Sequence, residues 1–300
     1  MENNLQPGTQ TLTLEKALDL FLDSLKGKNR SGLTIQAYRA DMEQFITYLH
    51  DNNVSIASPI DVKRTDISEY LSYLSRRDLT GASRARKLSA IREYFRFLEG
   101  SEYIERSPAE HIDSPKREKN GRVYLHSGEY TKMLSLAGGN PRDYAILQVF
   151  LQTGVRVSEL SGLQLNDIDI NHTNPTIKVS GKGRVEREIE LEKKGIQAIK
   201  NYLSVRPHSL SNILFLNYLG EPLSDRGIRK LVVKYRTNAG ITKKASCHSL
   251  RHTFATFKAE RGVSPFQLQQ WLGHTNLNTT QIYVHLGKQN AKKIMENTTL

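Results

Sequence analysis

Within the segment HSLRH, residues 248 to 252, two histidines and an arginine fall inside five positions. On a helix His248 and Arg251 are three apart and His248 and His252 four apart, so the three lie close on one face. Such a face can hold a metal ion or a cluster of anionic oxygens. A helical zinc-protease site needs glutamate directly after its first histidine. Ser249 stands there instead, and Arg251 would set a permanent cation beside the metal, so the zinc reading is poor. Histidine and arginine together suit anionic oxygens.

Three further segments supply groups of the same kind. In TGVRVSEL, from Thr153, Gly154 marks a bend, Arg156 follows it, Ser158 can cap a helix and Glu159 falls in its first turn. Lys182 lies in the turn of GKGRVER. In WLGHTNLNTTQIYVHL, residues 271 to 286, Gly273 fits the end of one helix and Asn278 or Thr279 the start of another, with His274 between them and Tyr283 on the second. Each residue alone has a plainer explanation: Arg156 as a surface arginine, His274 as a capping or core histidine, Tyr283 as one of thirteen tyrosines.

Together they suit chemistry at phosphorus. Arginine forks non-bridging phosphate oxygens and stays charged. Histidine donates to the same oxygens or moves a proton. Tyrosine can form a covalent intermediate, but its pKa of about 10 makes it a weak nucleophile outside a cationic site. The set has no carboxylate pair and no glycine-rich nucleotide loop, so metal-dependent nuclease chemistry and ATP chemistry are poorly supported, and no cofactor and no metal are expected.

The elements that must position these groups follow from apolar spacing. Four helices come first. One, over residues 12 to 26, buries Leu14, Ala17, Leu18, Phe21, Leu22 and Leu25. A second carries Ile35, Tyr38, Met42, Phe45, Ile46 and Leu49 inward; a third starts near Thr65 or Asp66 as N-cap and buries Ile67, Tyr70, Leu71 and Leu74. The fourth buries Leu88, Ile91, Tyr94, Phe95 and Leu98, stops at Gly100, and carries Arg84, Arg86, Lys87, Arg92 and Arg96 with Glu93 as its one acid. A basic run is commonly a solvated face, but this one favours DNA contact, with Arg84, Arg86, Lys87 and Arg92 as the DNA-binding candidates. SPKREKNGR then reads as a basic linker, residues 114 to 123. A second, mixed unit follows, with helices at 127–137, 141–153, 193–204, 224–239, 248–260 and 264–272. Between them Ile177 and Val179, then Val185, Ile189 and Leu191, read as a β-hairpin of a one-sided sheet.

Composition narrows the partner. The 300 residues favour two domains, and 38% hydrophobic content is enough for cores. A formal net charge of +12 favours a polyanion, nucleic acid or an anionic membrane surface. A lone cysteine, Cys247, excludes an intrachain disulfide or a multi-cysteine zinc site. The start, MENNLQPGTQTLTLEK, has no charged-then-apolar signal pattern, and no stretch approaches the roughly 18 apolar residues of a membrane span. A cytoplasmic, nucleic-acid-binding protein without a membrane partner is expected.

TGVRVSEL, GKGRVER, HSLRHTFAT and LGHTNLNTTQIYVHL stand in the order found in the tyrosine recombinases, the phage integrase family, and the chain resembles that family over about residues 13 to 290. Its size is most similar to the Xer subgroup. The resemblance implies a mainly α fold with a small β-sheet: an N-terminal four-helix core-binding (SAM-like) domain over 12–113, the linker 114–123, and a mixed α/β catalytic domain with a C-terminal tail over 124–300. It implies site-specific recombination of double-stranded DNA through a 3′-phosphotyrosyl intermediate. Tyr283 is implied as nucleophile, Arg156 and Arg251 as clamps on the phosphate, His248 in proton transfer at the nucleophile, His274 as a donor to a phosphate oxygen, Lys182 as acid for the leaving 5′-oxygen, and Glu159 as their support. It implies a homotetramer on two DNA sites, or assembly with a related partner recombinase, linked by a tail whose stripe is Ala291, Ile294 and Met295. The role implied is Xer-like resolution of circular DNA dimers, as in chromosome partition, or integration and excision of a mobile element. The chain departs from the usual pattern at Ser107, at Trp271 and in YVHL, outside the six chemical residues. A silent DNA-binding module and a topoisomerase-like relaxing enzyme are the competing classes.

Overall fold

The computed structural model describes residues 12–52, 55–116, 122–170, 174–181 and 186–273. Lys182, Val185, His274, Tyr283 and the tail from 284 to 300 lie outside the described residues. The chain divides into two compact units, residues 1–120 and 121–300. It is mainly helical, with one small sheet.

In the first unit four helices, α1 (Leu14–Gly27), α2 (Gly32–Asn52), α3 (Arg64–Arg76) and α4 (Gly81–Gly100), enclose one core. Each turns an apolar stripe inward, and Phe21, Phe45, Tyr70, Tyr94 and Phe95 are fully buried in it. Phe21 meets Tyr94 edge to face, with ring centres 5.7 Å apart. Thr13 and Thr80 cap α1 and α4 by accepting from the N–H groups of Lys16 and Ser83. The start of α3 differs from expectation. The helix begins at Arg64, and Asp66 acts from inside its first turn, accepting from the Lys63 N–H at 2.7 Å. A carboxylate in the first turn satisfies an orphan donor as well as a cap does.

The second unit contains α5 (Ser127–Ala137), α6 (Pro141–Thr153), α7 (Val157–Ser161), a three-stranded antiparallel sheet of β1 (Ile168–Asp169), β2 (Thr176–Ser180) and β3 (Glu186–Glu190), then α8 (Lys193–Leu203), α9 (Asp225–Asn238), α10 (Cys247–Glu260) and α11 (Pro265–Leu272). The expected hairpin is β2–β3, with Ile177 opposite Ile189 and Val179 opposite Arg187. Ile177, Val179 and Ile189 are buried, as a one-sided sheet requires. The two-residue β1 was not anticipated; it is too short to show a period. Helix α6 lies in the middle of the unit and packs on α5, α8 and α10. Asn140 caps it, Pro141 opens it, and Gly154 ends it in the left-handed conformation at φ 61°. No described helix is long and apolar enough to cross a membrane.

Candidate active site

The end of α6 sets the first arginine. A Cβ on Gly154 would stand 2.4 Å from the buried ring of Phe254, so both the backbone angle and the space require glycine. The chain turns sharply there and brings Arg156 to the start of α7. Ser158, the expected cap, is inside the helix; Arg156 takes the cap position, and the Glu159 carboxylate accepts from its backbone N–H at 2.7 Å. Glu159 thus grips the same residue twice, because Arg156 Nη1 also donates to Glu159 Oε1 at 2.8 Å.

The second arginine comes from α10. Arg251 is 3% exposed; its Nη1 donates to the Gly154 carbonyl at 2.7 Å and its Nη2 to the Leu272 carbonyl. His248 sits one turn earlier on the exposed side of the helix, and its ring meets the buried His252 ring edge to face at 4.4 Å. Partial desolvation first, then the charges of Arg251, Arg122 and Arg156, hold the His248 pKa below its ordinary value. The imidazole is therefore neutral at pH 7 and able to accept a proton.

A third guanidinium completes the cluster. Arg187, from β3, donates Nη1 and Nη2 to the two Glu159 oxygens at 3.1 and 2.7 Å, and Nε to the Trp271 carbonyl at 2.7 Å. Arg156 Nη2 reaches the Gly273 carbonyl at 3.1 Å. Three successive carbonyls at the end of α11, those of Trp271, Leu272 and Gly273, are thus each held by a different arginine. The last carbonyls of a helix have no partner within it and form the negative end of its dipole, so cations there are favoured. Burial raises the Glu159 pKa, but the hydrogen bond from Arg187, the Arg156 N–H and the arginine charges outweigh it, and the carboxyl titrates below the ordinary range. Three guanidiniums against one carboxylate leave the cluster cationic and suited to a phosphate. Among the described residues Arg156 spends on Glu159 and Gly273 two of the five N–H donors an arginine has, and its side chain is 40% exposed.

The structure therefore brings together Arg156, Glu159, His248 and Arg251. Lys182 and His274 adjoin described residues, Gly181 and Gly273, while their own side chains and that of Tyr283 are outside the described set. The sequence reading missed Arg187. Its signal was present: Val179, opposite it, and Ile189, two residues on, both face inward, so a charged residue occupies an inward strand position. Such a charge needs a buried partner.

In the first unit the four α4 cations expected to contact DNA are not alike. Arg86 is half-exposed and pairs with Asp41. Arg84 lines an open cleft with Arg64 and Arg76 between α3 and α4. Lys87, however, is 7% exposed, and its ammonium lies 2.9 Å from the buried Asp41 carboxylate. Arg92 donates to Ser114 Oγ at 3.0 Å and to the Ile112 carbonyl. Lys87 and Arg92, both expected to contact DNA, thus have intramolecular partners.

Residues 124–290 match the phage integrase family, and residues 18–101 match its N-terminal SAM-like domain. The chain belongs to the phage integrase family. Among its relatives, the tyrosine recombinase XerC of Natranaerobius thermophilus is 35% identical over 287 residues, 91% of this chain and 95% of the relative. The tyrosine recombinase XerD of Staphylococcus saprophyticus is 35% identical over 276 residues, 89% and 92% of the two chains. Among solved structures, XerA recombinase is 27% identical with a TM-score of 0.54, covering 95% of this chain and 99% of that one. The XerH site-specific recombinase bound to a palindromic difH substrate gives a TM-score of 0.75 at 22% identity, covering 95% and 85%. At that identity the likeness shows the recombinase fold alone.

Proposed function

We propose that this family member is a site-specific DNA recombinase of the Xer kind, acting in the cytoplasm on double-stranded DNA that carries its recombination site. The observation that carries the reading is the convergence of Arg156, Arg187 and Arg251 on the end of α11, immediately before His274. A cationic cluster there is placed to receive a scissile phosphate and to lower the cost of ionising a tyrosine carried by the segment that follows.

In the proposed step the Tyr283 oxygen attacks phosphorus, and neutral His248 takes its proton. Arg156, Arg251 and His274 hold the non-bridging oxygens as charge builds on them. The bond from phosphorus to the 5′-oxygen breaks, and Lys182 protonates the departing oxygen. The products are a 3′-phosphotyrosyl bond and a free 5′-hydroxyl. The 5′-hydroxyl of a partner strand reverses the step, so one phosphodiester is exchanged for another and the reaction requires no ATP. Fixed guanidiniums do the charge stabilisation, so no metal or other cofactor enters the step. Several other groups of the chain are made poorer nucleophiles by burial. Desolvation raises the pKa of the buried Tyr70, Tyr94 and Tyr202, pushes Tyr235 up to about 12, and pushes the Cys247 thiol up to about 11.

Residues 12–113 act as the core-binding domain, 114–123 as linker and 124–300 as catalytic domain and tail. Arg84 and Arg86 reach DNA phosphates, while Lys87 and Arg92 fix the helix and the linker start from which they do so. Four protomers, joined by exchanged tails, act on two DNA sites, to resolve circular dimers or to move an element in or out of a chromosome.

A supercoiled plasmid bearing two copies of a site selected by binding tests this reading. Resolved circles formed in EDTA are the expected product. Relaxation without resolution would make the protein a topoisomerase-like enzyme, and binding without strand passage would make it a silent DNA-binding module.

A further inference from the structure

Arg187 has no part in the steps above, yet three segments of the site meet on its side chain. It stands on β3, the strand that follows Lys182 in the chain. Its guanidinium spans both oxygens of Glu159, the residue that holds Arg156 by backbone and side chain. Its Nε holds the Trp271 carbonyl, two residues before Gly273. A Cβ on Gly273 would stand 3.1 Å from Arg187 Nη1, so the guanidinium packs directly against the last residue before His274. The side chain is only 10% exposed, and Glu159 5%.

A charge in this position carries a desolvation cost, and a hydrophobic residue would continue the inward row of β3 without it. A staple for the sheet alone does not need a fork that reaches two other segments. We propose that Arg187 is a positioning residue for strand cleavage: one rigid guanidinium fixes Arg156 through Glu159, and fixes the path of the chain into His274 through the Trp271 carbonyl, from the strand next to Lys182. It does not touch DNA; it sets the distances between groups that do. The inference rests on the recombinase reading given above.

The test uses the full chain and a suicide substrate nicked beside the scissile phosphate of a selected site. Arg187→Gln, Arg187→Lys, Glu159→Gln and the double variant Arg187→Gln/Glu159→Gln are compared at saturating DNA, well below each melting temperature. Half-site affinity is expected to stay at the wild-type level in Arg187→Gln. Its single-turnover rate of adduct formation is expected to fall about 10- to 100-fold, the scale of a misplacement near 1 Å. Lysine keeps the charge but cannot span two carboxylate oxygens and a carbonyl, so Arg187→Lys recovers only part of the loss. The double variant should be no slower than the slower single one, because the two residues act as a unit. A variant that melts earlier but cleaves at the wild-type rate would reduce Arg187 to a structural staple and overturn the inference. Full recovery with lysine, or multiplying losses in the double variant, would also overturn it. If the wild-type chain forms no adduct, the recombinase reading falls and this inference with it; a wild-type adduct matched by Arg187→Gln removes the inference alone.

Discussion

Glu159 Oε2 and Arg187 Nη2 lie 2.7 Å apart although 28 residues separate them in the chain. The pair joins the start of α7 to β3, and through Arg156 and Trp271 it joins both to the end of α11. A carboxylate is thus the hub of a cationic site, and its ionisation state governs the whole cluster.

Acid should therefore loosen this unit through Glu159. The folded carboxyl titrates below its ordinary value of 4.5, so folding favours the ionised form. That stabilisation is complete above about pH 4.5 and is lost as pH falls through the lower folded value. Trp271 is the single tryptophan and its carbonyl is bound by Arg187, so its fluorescence reports the site. Glu159→Gln should flatten the acid dependence of the Trp271 transition. Glu159→Ala should cost about 3 kcal/mol at pH 7, because it strands buried cations. Equal acid slopes in wild type and Glu159→Gln would refute the hub.

His248 should shape the pH dependence of cleavage. Its pKa is held below 6.5 in the free protein, so the active, neutral form persists into mildly acid solution. At subsaturating DNA the second-order cleavage rate should fall on the acid side with an apparent pKa below 6.5, reporting the free enzyme. His248→Asn should be slow and lack that limb. A limb that survives the substitution belongs to another group.

The Asp41–Lys87 pair should behave as structure. Asp41→Ala leaves the Lys87 ammonium buried without its carboxylate and should destabilise the first unit by about 3–5 kcal/mol, whereas joint replacement by Leu and Met should be nearly neutral. Hydrogen exchange along α2 and α4 measures both. A fall in the salt slope of DNA binding without loss of protection would instead return Lys87 to the DNA surface.

Much of this was legible in the sequence. The stripes of α1 to α4 were plain because each helix has one face in one core, and Gly154 and Gly273 were plain because only a left-handed helix end needs them there. The start of α3 slipped because Thr65 and Asp66 are good caps in isolation, whereas Asp66 does the same work from inside the helix. The burial of Lys87 was not legible because its partner is 46 residues away, and a basic run does not say which cation points inward. Arg187 stood in a motif already marked for Lys182, and its inward register only becomes decisive once Val179 is seen opposite it.

The central claim is covalent attack by Tyr283. It is tested by incubating the wild-type chain and Tyr283→Phe with a nicked suicide substrate and resolving the products on a denaturing gel. The wild-type chain should leave protein joined to the 3′-phosphate and release a 5′-hydroxyl strand, while Tyr283→Phe binds the same DNA and forms no adduct. An adduct that persists in Tyr283→Phe, or one joined to the 5′ end, would contradict the account.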